Sequence, residues 1–350
     1  AIGVPPCCQL FLMPCVRRFA ARGSIRARRG NVEVAFSAGR DDSVPASNIA
    51  AQGTSGGATR FLLGAALRPR RNRNPMRSFD PKMRIAQVAP LYESCPPRYY
   101  GGTERVVSYL TEELVAQRNE VTLFASGDSQ TAACLEAGCE QALRLAEADD
   151  PLACHLRMLD RVRRRAADFD IIHFHTEHLH LPMFAKDCER TLTTLHGRLD
   201  LPDLALMFRT YPMMPLVSIS KSQRATLPRA NWQGTVYHGL PRDLYRPGDG
   251  GGGYLAFLGR ISPEKGPDRA IEIARRVGLP LQISAKVDAV DRRYFEDRIA
   301  PLLNDPLIEF IGEIGETGKD TFLGDALALL FPIAWSEPFG LVLIEACLLY

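Results

Sequence analysis

The sequence predicts an α/β protein of two domains, each with a parallel β-sheet covered by helices on both faces. Three observations support this prediction. From Met83 onward, short apolar strands alternate with amphipathic helices. A glycine-rich run interrupts this alternation, and a second alternating set follows it. We therefore predict a first domain at residues 83–247, a flexible linker at 248–253 and a second domain at 254–350.

Hydrophobic periodicity predicts the elements of each domain. In the first domain the sequence predicts strands at 84–89, 121–125, 170–175, 190–195, 216–219 and 235–237, and helices at 103–117 and 152–167. In the second it predicts strands at 254–258, 281–285, 308–311 and 326–331, and helices at 268–277, 292–303 and from residue 340 onward. Two such Rossmann-like units would face each other across a cleft at the ends of their strands, where ligands usually bind.

The N-terminal part of the chain differs from the rest in charge. Residues 1–82 contain 14 Arg and Lys against four Asp and Glu, whereas residues 83–350 contain 29 against 36. Arginine clusters and Gly/Ser-rich sequence show no sustained periodicity there, so we predict a basic, low-complexity, disordered extension. A nucleic-acid-binding arm and an organelle transit peptide are the alternatives, although we expect no specific nucleic acid partner.

The composition excludes several classes of protein. With 46% hydrophobic and 24% charged residues, the whole chain is neither disordered nor collagen-like. No apolar run approaches the ~20 residues of a membrane-spanning helix. The nine cysteines form no CxxC pair, which indicates free thiols in a reducing compartment and a cytoplasmic protein.

The strongest motif is EPFGLVLIE, which begins at Glu337 and ends at Glu345. The backbone N–H groups of Phe339, Gly340 and Leu341 would project from a helix N-terminus and could bind a phosphate. Glu345, about one turn into the helix, could accept hydrogen bonds from a diol, and Glu337 from a second hydroxylated ring. A capped helix with a solvated glutamate is the alternative interpretation.

A second motif, GRISPEKG, directly follows a predicted strand. The guanidinium of Arg260 and the ammonium of Lys265 at one strand end suit a diphosphate. The segment lacks the GxxxxGK[ST] pattern of a P-loop. An ordinary loop with solvated basic side chains is the alternative.

Two glycines, Gly101 and Gly102, precede the first helix and would let the backbone approach a ligand closely. They do not form the GxGxxG fingerprint of a dinucleotide site. Among the histidines, His196 is the best site candidate because it ends a strand at the predicted cleft. We expect His238 to be structural, and we disfavour a metal site at the alternating histidines of strand 170–175.

In this order, the GGTE segment, His196, GRISPEKG and EPFGLVLIE resemble glycosyltransferase family 4, the retaining nucleotide-sugar enzymes of GT-B fold. The resemblance runs from residue 83 to the end of the chain. It implies that Arg260 and Lys265 hold the diphosphate of a UDP, GDP or ADP sugar. It also implies that Glu345 binds the ribose and that the amides of residues 339–341 bind the distal phosphate.

The resemblance implies roles for the remaining candidates too. Gly101 and Gly102 would approach the diphosphate from the first domain, while Glu337 and His196 would contact the transferred sugar. Such an enzyme needs no cofactor or metal, because cations and a helix terminus stabilise the leaving phosphate. The acceptor could be a saccharide, a lipid or a small molecule, and the resemblance does not identify which. Peripheral contact with a membrane is equally undecided.

The family's pattern continues past the last motif with further strands and helices. We therefore expect the second domain to be incomplete in this chain, with an unpaired sheet edge, low stability and little or no activity. A non-catalytic nucleotide-sugar-binding fragment and a GT-B-fold epimerase are the alternative functions.

Overall fold

The computed structural model describes residues 82–349, together with the backbone of two short strands at Ile25–Arg28 and Asn31–Val34. Those two strands pair antiparallel as a hairpin that the sequence analysis did not predict. The remainder of the predicted N-terminal extension lies outside the described residues.

From residue 82 onward the fold consists of two parallel sheets. The strands of the first sheet are β1 (Arg84–Val88), β2 (Glu120–Ser126), β3 (Cys134–Cys139), β4 (Ile171–Phe174), β5 (Thr191–Leu195), β6 (Leu216–Ser218) and β7 (Trp232–Thr235). Those of the second sheet are β8 (Leu255–Arg260), β9 (Leu281–Lys286), β10 (Ile308–Gly312) and β11 (Ala328–Leu329). The α/β prediction with two Rossmann-like domains is confirmed.

Both sheets have the same kind of strand order. The first runs β3-β2-β1-β4-β5-β6-β7 and the second β10-β9-β8-β11, with every neighbouring pair parallel. In each sheet the order reverses beside the first strand, between β1 and β4 and between β8 and β11. Ligands of open α/β sheets bind at such reversal points, beyond the carboxyl ends of the strands.

Helices connect the strands. They are α1 (Gly102–Ala116), α2 (Pro151–Arg164), α3 (Leu181–Phe184), α4 (Pro202–Thr210), α5 (Lys221–Ala225), α6 (Pro267–Val277), α7 (Glu316–Gly324) and α8 (Leu341–Leu349). Between β9 and β10, a helical segment changes from an α-turn at Arg292–Tyr294 to a π-turn at Phe295–Ile299 and a 3-10 turn at Ala300–Asn304.

The sequence analysis missed β3 and the helices α3, α4, α5 and α7. Most of these are short, and β3 lies at a sheet edge, with pairing only to β2. The strand predicted at 326–331 is reduced to Ala328–Leu329, although Leu327 and Leu330 still donate hydrogen bonds to the carbonyls of Tyr254 and Ala256.

Each sheet has its own apolar core. In the first domain, Phe124, Phe174 and Leu195 are fully buried on the sheet. In the second, Phe257 and Ile283 are buried under α6 and the helical segment before β10. Burial of these side chains holds the strands in register and thereby fixes the positions of the loops at their carboxyl ends.

The glycine run is hydrogen-bonded to the second domain. The N–H groups of Gly248, Gly250 and Gly252 donate to the carbonyls of Leu349, Gly324 and Asp325, at 2.8, 2.9 and 2.9 Å. Neighbouring helix ends thus satisfy these backbone N–H groups, and the flexibility expected of this run stays a prediction. The boundaries of the linker and of the two domains stay predictions.

We predict that the core of the first domain is sensitive to truncation at Leu195, which has no exposed surface. Leu195→Ala should lower the free energy of unfolding by about 2–5 kcal/mol, because it leaves a cavity. The matched control is Leu206→Ala on α4, where the leucine is 59% exposed. It should change stability by less than about 0.5 kcal/mol. Urea unfolding followed by circular dichroism would measure both, and equal losses would contradict this picture of the core.

Candidate active site

A cleft of about 410 Å³ opens at the carboxyl ends of the two sheets. It contains every residue that the sequence analysis selected, although those residues come from both domains. They are Gly101, Gly102, His196, Arg260, Lys265, Glu337, Phe339, Gly340, Leu341 and Glu345. The structure therefore brings all ten predicted site residues to one place, while their individual roles stay predictions.

Two helix N-termini meet at this cleft. Helix α1 begins at Gly102 and helix α8 at Leu341, and a Cβ atom on Gly102 would lie 3.3 Å from the Leu341 side chain. The first N–H groups of each helix have no acceptor within the helix, and both helix dipoles place partial positive charge at these ends. The arrangement favours an anion between the two domains.

Glycine is required at two turns that shape the cleft. At Gly101, a Cβ atom would lie 2.7 Å from the Cβ of Pro97, which is closer than carbon atoms normally approach. At Gly340, the backbone has a φ of +80°, a left-handed conformation that L-residues rarely adopt. These two positions explain why small residues precede both helices.

The two predicted phosphate-binding cations are already paired with carboxylates. Arg260 contacts Glu264 and lies 3.8 Å from Asp288 and 3.5 Å from Asp291. Its side chain is about one-third exposed, so it remains accessible from the cleft. An anionic ligand would therefore share this guanidinium with the carboxylates around it.

Lys265 pairs with Glu337, so the two central motifs of the sequence analysis contact each other directly. Its ammonium also lies 5.0 Å from the ring centre of Trp335. The indole nitrogen of Trp335 is buried and has no hydrogen-bond partner among the described residues. Lys265 is thus held beside the cleft by a charge and by an aromatic face.

Glu345 lies at the centre of a buried ion network between the domains. Its Oε1 accepts hydrogen bonds from Arg105 at 2.9 Å and from Lys319 at 2.8 Å. Arg105, on α1, also lies 2.7 Å from Glu316. The Lys319 and Glu345 side chains are 6% and 3% exposed, and this burial lowers the pKa of Lys319. One oxygen of Glu345 is therefore occupied by the protein itself.

A second ion cluster joins the domains near the rim of the cleft. Arg144 donates to both carboxylate oxygens of Glu313, at 2.9 and 3.1 Å, and also contacts Glu93. Burial raises the pKa of Glu93 despite this contact. A bidentate arginine–carboxylate pair fixes the relative orientation of the two side chains as well as the distance between them.

His196 reaches the cleft from the end of β5, and its backbone is held by a neighbouring carboxylate. Oε1 of Glu177 accepts hydrogen bonds from the backbone N–H groups of His196 and Gly197, at 2.8 and 2.9 Å. Burial raises the pKa of Glu177 to about 7, and these hydrogen bonds oppose the rise. The Glu177 carboxylate therefore holds the backbone of the loop that begins at His196.

The side chain of His196 is one of several hydrogen-bonded histidines. Its Nε2 lies 2.9 Å from Nδ1 of His175, and its Nδ1 lies 3.3 Å from Nε2 of His238. Burial lowers the pKa of His196 and His175 well below the usual value and that of His238 to about 4. These imidazoles are accordingly neutral at neutral pH.

Sequence reasoning missed several residues of the site. Nothing near Arg105 or Lys319 in the chain indicates that they pair with Glu345, because the partners lie far away in sequence. For the histidines a signal did exist, since His173 and His175 alternate on one strand and therefore share a face.

Among the described residues, no group of three or more His, Cys, Asp and Glu side chains is arranged to hold a metal ion. No helix within the described ranges is long and apolar enough to cross a membrane.

Two family models match the sequence. Residues 100–232 match Glycosyltransferase Family 4, and residues 248–349 match Glycosyl transferases group 1. The two matches fall on the first and second domains and together cover more than half of the chain. A search of curated proteins found no sequence match.

Several solved structures have folds similar to that of this chain. AviGT4, a glycosyltransferase involved in avilamycin A biosynthesis, is 21% identical, with a TM-score of 0.52 over 75% of this chain and 76% of that chain. HepE from Anabaena, in complex with UDP and glucose, is 16% identical, with a TM-score of 0.57 over 76% and 78%. The catalytic domain of starch synthase IV from Arabidopsis thaliana, bound to ADP and acarbose, is 12% identical, with a TM-score of 0.53 over 76% and 81%.

At these identities the solved structures establish the fold, and the family models establish the kind of protein. Their matches fall on the same two domains whose sheets form the cleft. The chain belongs to the GT-B glycosyltransferases, with a Glycosyltransferase Family 4 region in its first domain and a group 1 region in its second.

Proposed function

We propose that the protein is a retaining glycosyltransferase that moves a sugar from a nucleotide-diphosphate sugar to an acceptor. The observation that carries this proposal is the convergence of two cations and two helix N-termini on one cleft. A nucleoside diphosphate is the ligand whose charge and length suit that arrangement. HepE and starch synthase IV, which share the fold, were solved with UDP and ADP respectively.

The nucleotide would lie along the second domain. Arg260 and Lys265 would bind the diphosphate, with the amides at residues 339–341 on the distal phosphate. Glu345 would bind the ribose hydroxyls through the oxygen that does not face Arg105 and Lys319. These two cations hold the Glu345 carboxylate in a fixed orientation, which a hydrogen bond to a diol requires.

The sugar would occupy the centre of the cleft, between Glu337 and the loop that begins at His196. Gly101 and Gly102 would let the first domain approach the diphosphate closely. As the bond between the anomeric carbon and the phosphate oxygen breaks, negative charge grows on the phosphate. Arg260 and the two helix N-termini, which line the cleft, would stabilise that charge.

Retention of configuration would follow if the acceptor attacks from the face that the phosphate leaves. The leaving phosphate oxygen would then take the proton of the acceptor hydroxyl, so the protein needs no separate base. The cations supply the charge stabilisation, and the proposal includes no cofactor. The acceptor stays open between a saccharide, a lipid and a small molecule.

The two alternatives are a non-catalytic donor-binding protein and a GT-B-fold epimerase. Both would bind a nucleotide sugar in the same cleft, so binding alone does not separate them from a transferase. The products do: a transferase yields free nucleoside diphosphate, an epimerase yields an altered nucleotide sugar, and a binding protein yields neither.

We predict that Arg260→Ala and Lys265→Ala each weaken nucleotide-sugar binding by about 1–3 kcal/mol, the scale of one charge-assisted contact. Isothermal titration with UDP-, GDP- and ADP-glucose would measure the loss and identify the base. Matched controls are Arg276→Ala on α6 and Lys221→Ala on α5, which lie outside the cleft lining. Unchanged binding by both cleft variants would argue against this assignment of the diphosphate site.

We also predict that incubation with the donor that binds releases nucleoside diphosphate and gives a product with the donor's anomeric configuration. Proton NMR of the anomeric signal during the first turnovers would show the configuration before it equilibrates. Glu337→Gln should slow this release more than it weakens donor binding, because the residue would act on the transferring sugar. An inverted product would refute retention, and an epimerised nucleotide sugar would favour the alternative enzyme.

A further inference from the structure

A chain of hydrogen bonds runs from the cleft into the first sheet. It begins at His238, continues through His196 and His175 to Gln87, and ends at His173, whose Nε2 lies 2.8 Å from Oγ1 of Thr194. Gln87 and His175 are each 1% exposed. His238 and His196 line the cleft, so the chain has one end at the candidate active site and the other inside the protein.

Every link of this chain joins Nδ1 of one imidazole to Nε2 of the next, directly or through Gln87. A neutral imidazole carries one N–H donor and one acceptor nitrogen. If His175 donates from Nε2, its Nδ1 must accept from His196, and His196 must in turn accept from His238. The histidines therefore share one tautomer. A single group can thus set the direction of the chain, that is, which end of every hydrogen bond donates and which accepts.

Gln87 is that group. Its Oε1 lies 2.9 Å from Nε2 of His175, and its Nε2 lies 3.4 Å from Nδ1 of His173. An amide oxygen only accepts, so His175 carries its proton on Nε2. By the argument above, His196 and His238 carry theirs on Nε2 as well. The Nδ1 of His238 is then a bare acceptor nitrogen, and no hydrogen bond to it is found in the described part of the chain.

With these tautomers, His238 has a ring nitrogen available to a ligand and His196 does not. Both ring nitrogens of His196 are engaged, one with His175 and one with His238. His238 stacks on His196 with an interplanar angle of 17° and meets the ring of Phe339, in the EPFGLVLIE motif, edge-on at 5.0 Å. Its ring thus lies in the cleft, between the first domain and Phe339 of the second.

We propose that His238, rather than His196, is the imidazole that bonds the substrate, and that its Nδ1 accepts a hydrogen bond from a substrate hydroxyl. Gln87 is a positioning residue, which acts through His175 and His196 to keep Nδ1 of His238 unprotonated. The inference rests on the proposed function for the identity of the ligand. The hydroxyl belongs either to the transferred sugar or to the acceptor, and the two share the same chemistry.

The tautomers test the direction of the chain without any ligand. Nitrogen-15 NMR of protein labelled at its seven histidines distinguishes protonated from bare ring nitrogens. We expect His173, His175, His196 and His238 all to carry the proton on Nε2. A protonated Nδ1 on His238 would overturn the proposal, because the nitrogen facing the ligand would then be a donor.

A matched pair of variants tests the contact itself. In His238→Asn, the amide oxygen can take the place of Nδ1 and keep the acceptor, whereas in His238→Gln the amide takes the place of Nε2 and keeps only the link to His196. We expect the Gln variant to lose about tenfold in kcat/KM and the Asn variant to lose clearly less. Equal losses, the reverse order, or no loss in either variant would overturn the proposal. His178→Gln, a histidine outside the chain and the cleft lining, is the control.

Ligand titrations separate this proposal from the proposed function. UDP-glucose should shift the Nδ1 signal of His238 where UDP alone does not, if the hydroxyl belongs to the transferred sugar. A shift that needs the acceptor as well would assign the hydroxyl to the acceptor. If nucleotide sugars bind but neither addition moves Nδ1, the His238 contact is refuted while donor binding stands. If none of the UDP, GDP or ADP sugars binds, the proposed function fails, and the tautomers still decide the direction of the chain.

Discussion

The arrangement of the two domains depends on one buried arginine. Arg105 leaves helix α1 of the first domain and ends between Glu316 and Glu345 of the second, with 5% of its side chain exposed. Removing such a charge from water costs several kcal/mol, and the charge is tolerated only where partners of opposite sign surround it. The carboxylates of the second domain provide those partners, so the domains must meet at this point.

The same ion pair sets the geometry of the cleft. Arg105 lies in the first turn of α1, and Glu345 lies about one turn into α8. Fixing these two residues therefore fixes the two helix N-termini relative to each other, and with them the space left for an anion. The Arg144–Glu313 contact adds a second point of attachment, so the domains are restrained against rotation as well as separation.

Much of this architecture could be predicted from the sequence, because a parallel sheet leaves a strong pattern. Buried strands such as β1 and β8 are apolar runs, and the residues that follow them gather at one edge of the sheet. For that reason the glycines after β1 and the basic motif that begins at the end of β8 both line the cleft. The edge strand β3, Cys-Leu-Glu-Ala-Gly-Cys, carries no β-branched residue and is held by pairing to β2, which local sequence does not reveal.

The partners of the site residues could not be predicted in the same way. Arg105 and Glu345 are 240 positions apart, and only the packing of the domains joins them. In the histidine chain, the register of β1 against β4 places Gln87 directly beside His173. A one-residue change of register would turn Gln87 to the other face of the sheet and break the chain, yet nothing in either strand alone indicates their pairing.

The attachment of the glycine run has a mechanical consequence. Because Gly248, Gly250 and Gly252 are bonded to the ends of α7 and α8, turning the chain at these residues would break three backbone hydrogen bonds. Tyr245 is already buried in an apolar cluster with Phe322 and Leu323 of the second domain, and its hydroxyl donates a hydrogen bond to Glu316. If the cleft opens, we therefore expect the chain to turn upstream of the glycines, in the stretch between β7 and Tyr245. The glycine residues would travel with the second domain as part of its rigid body.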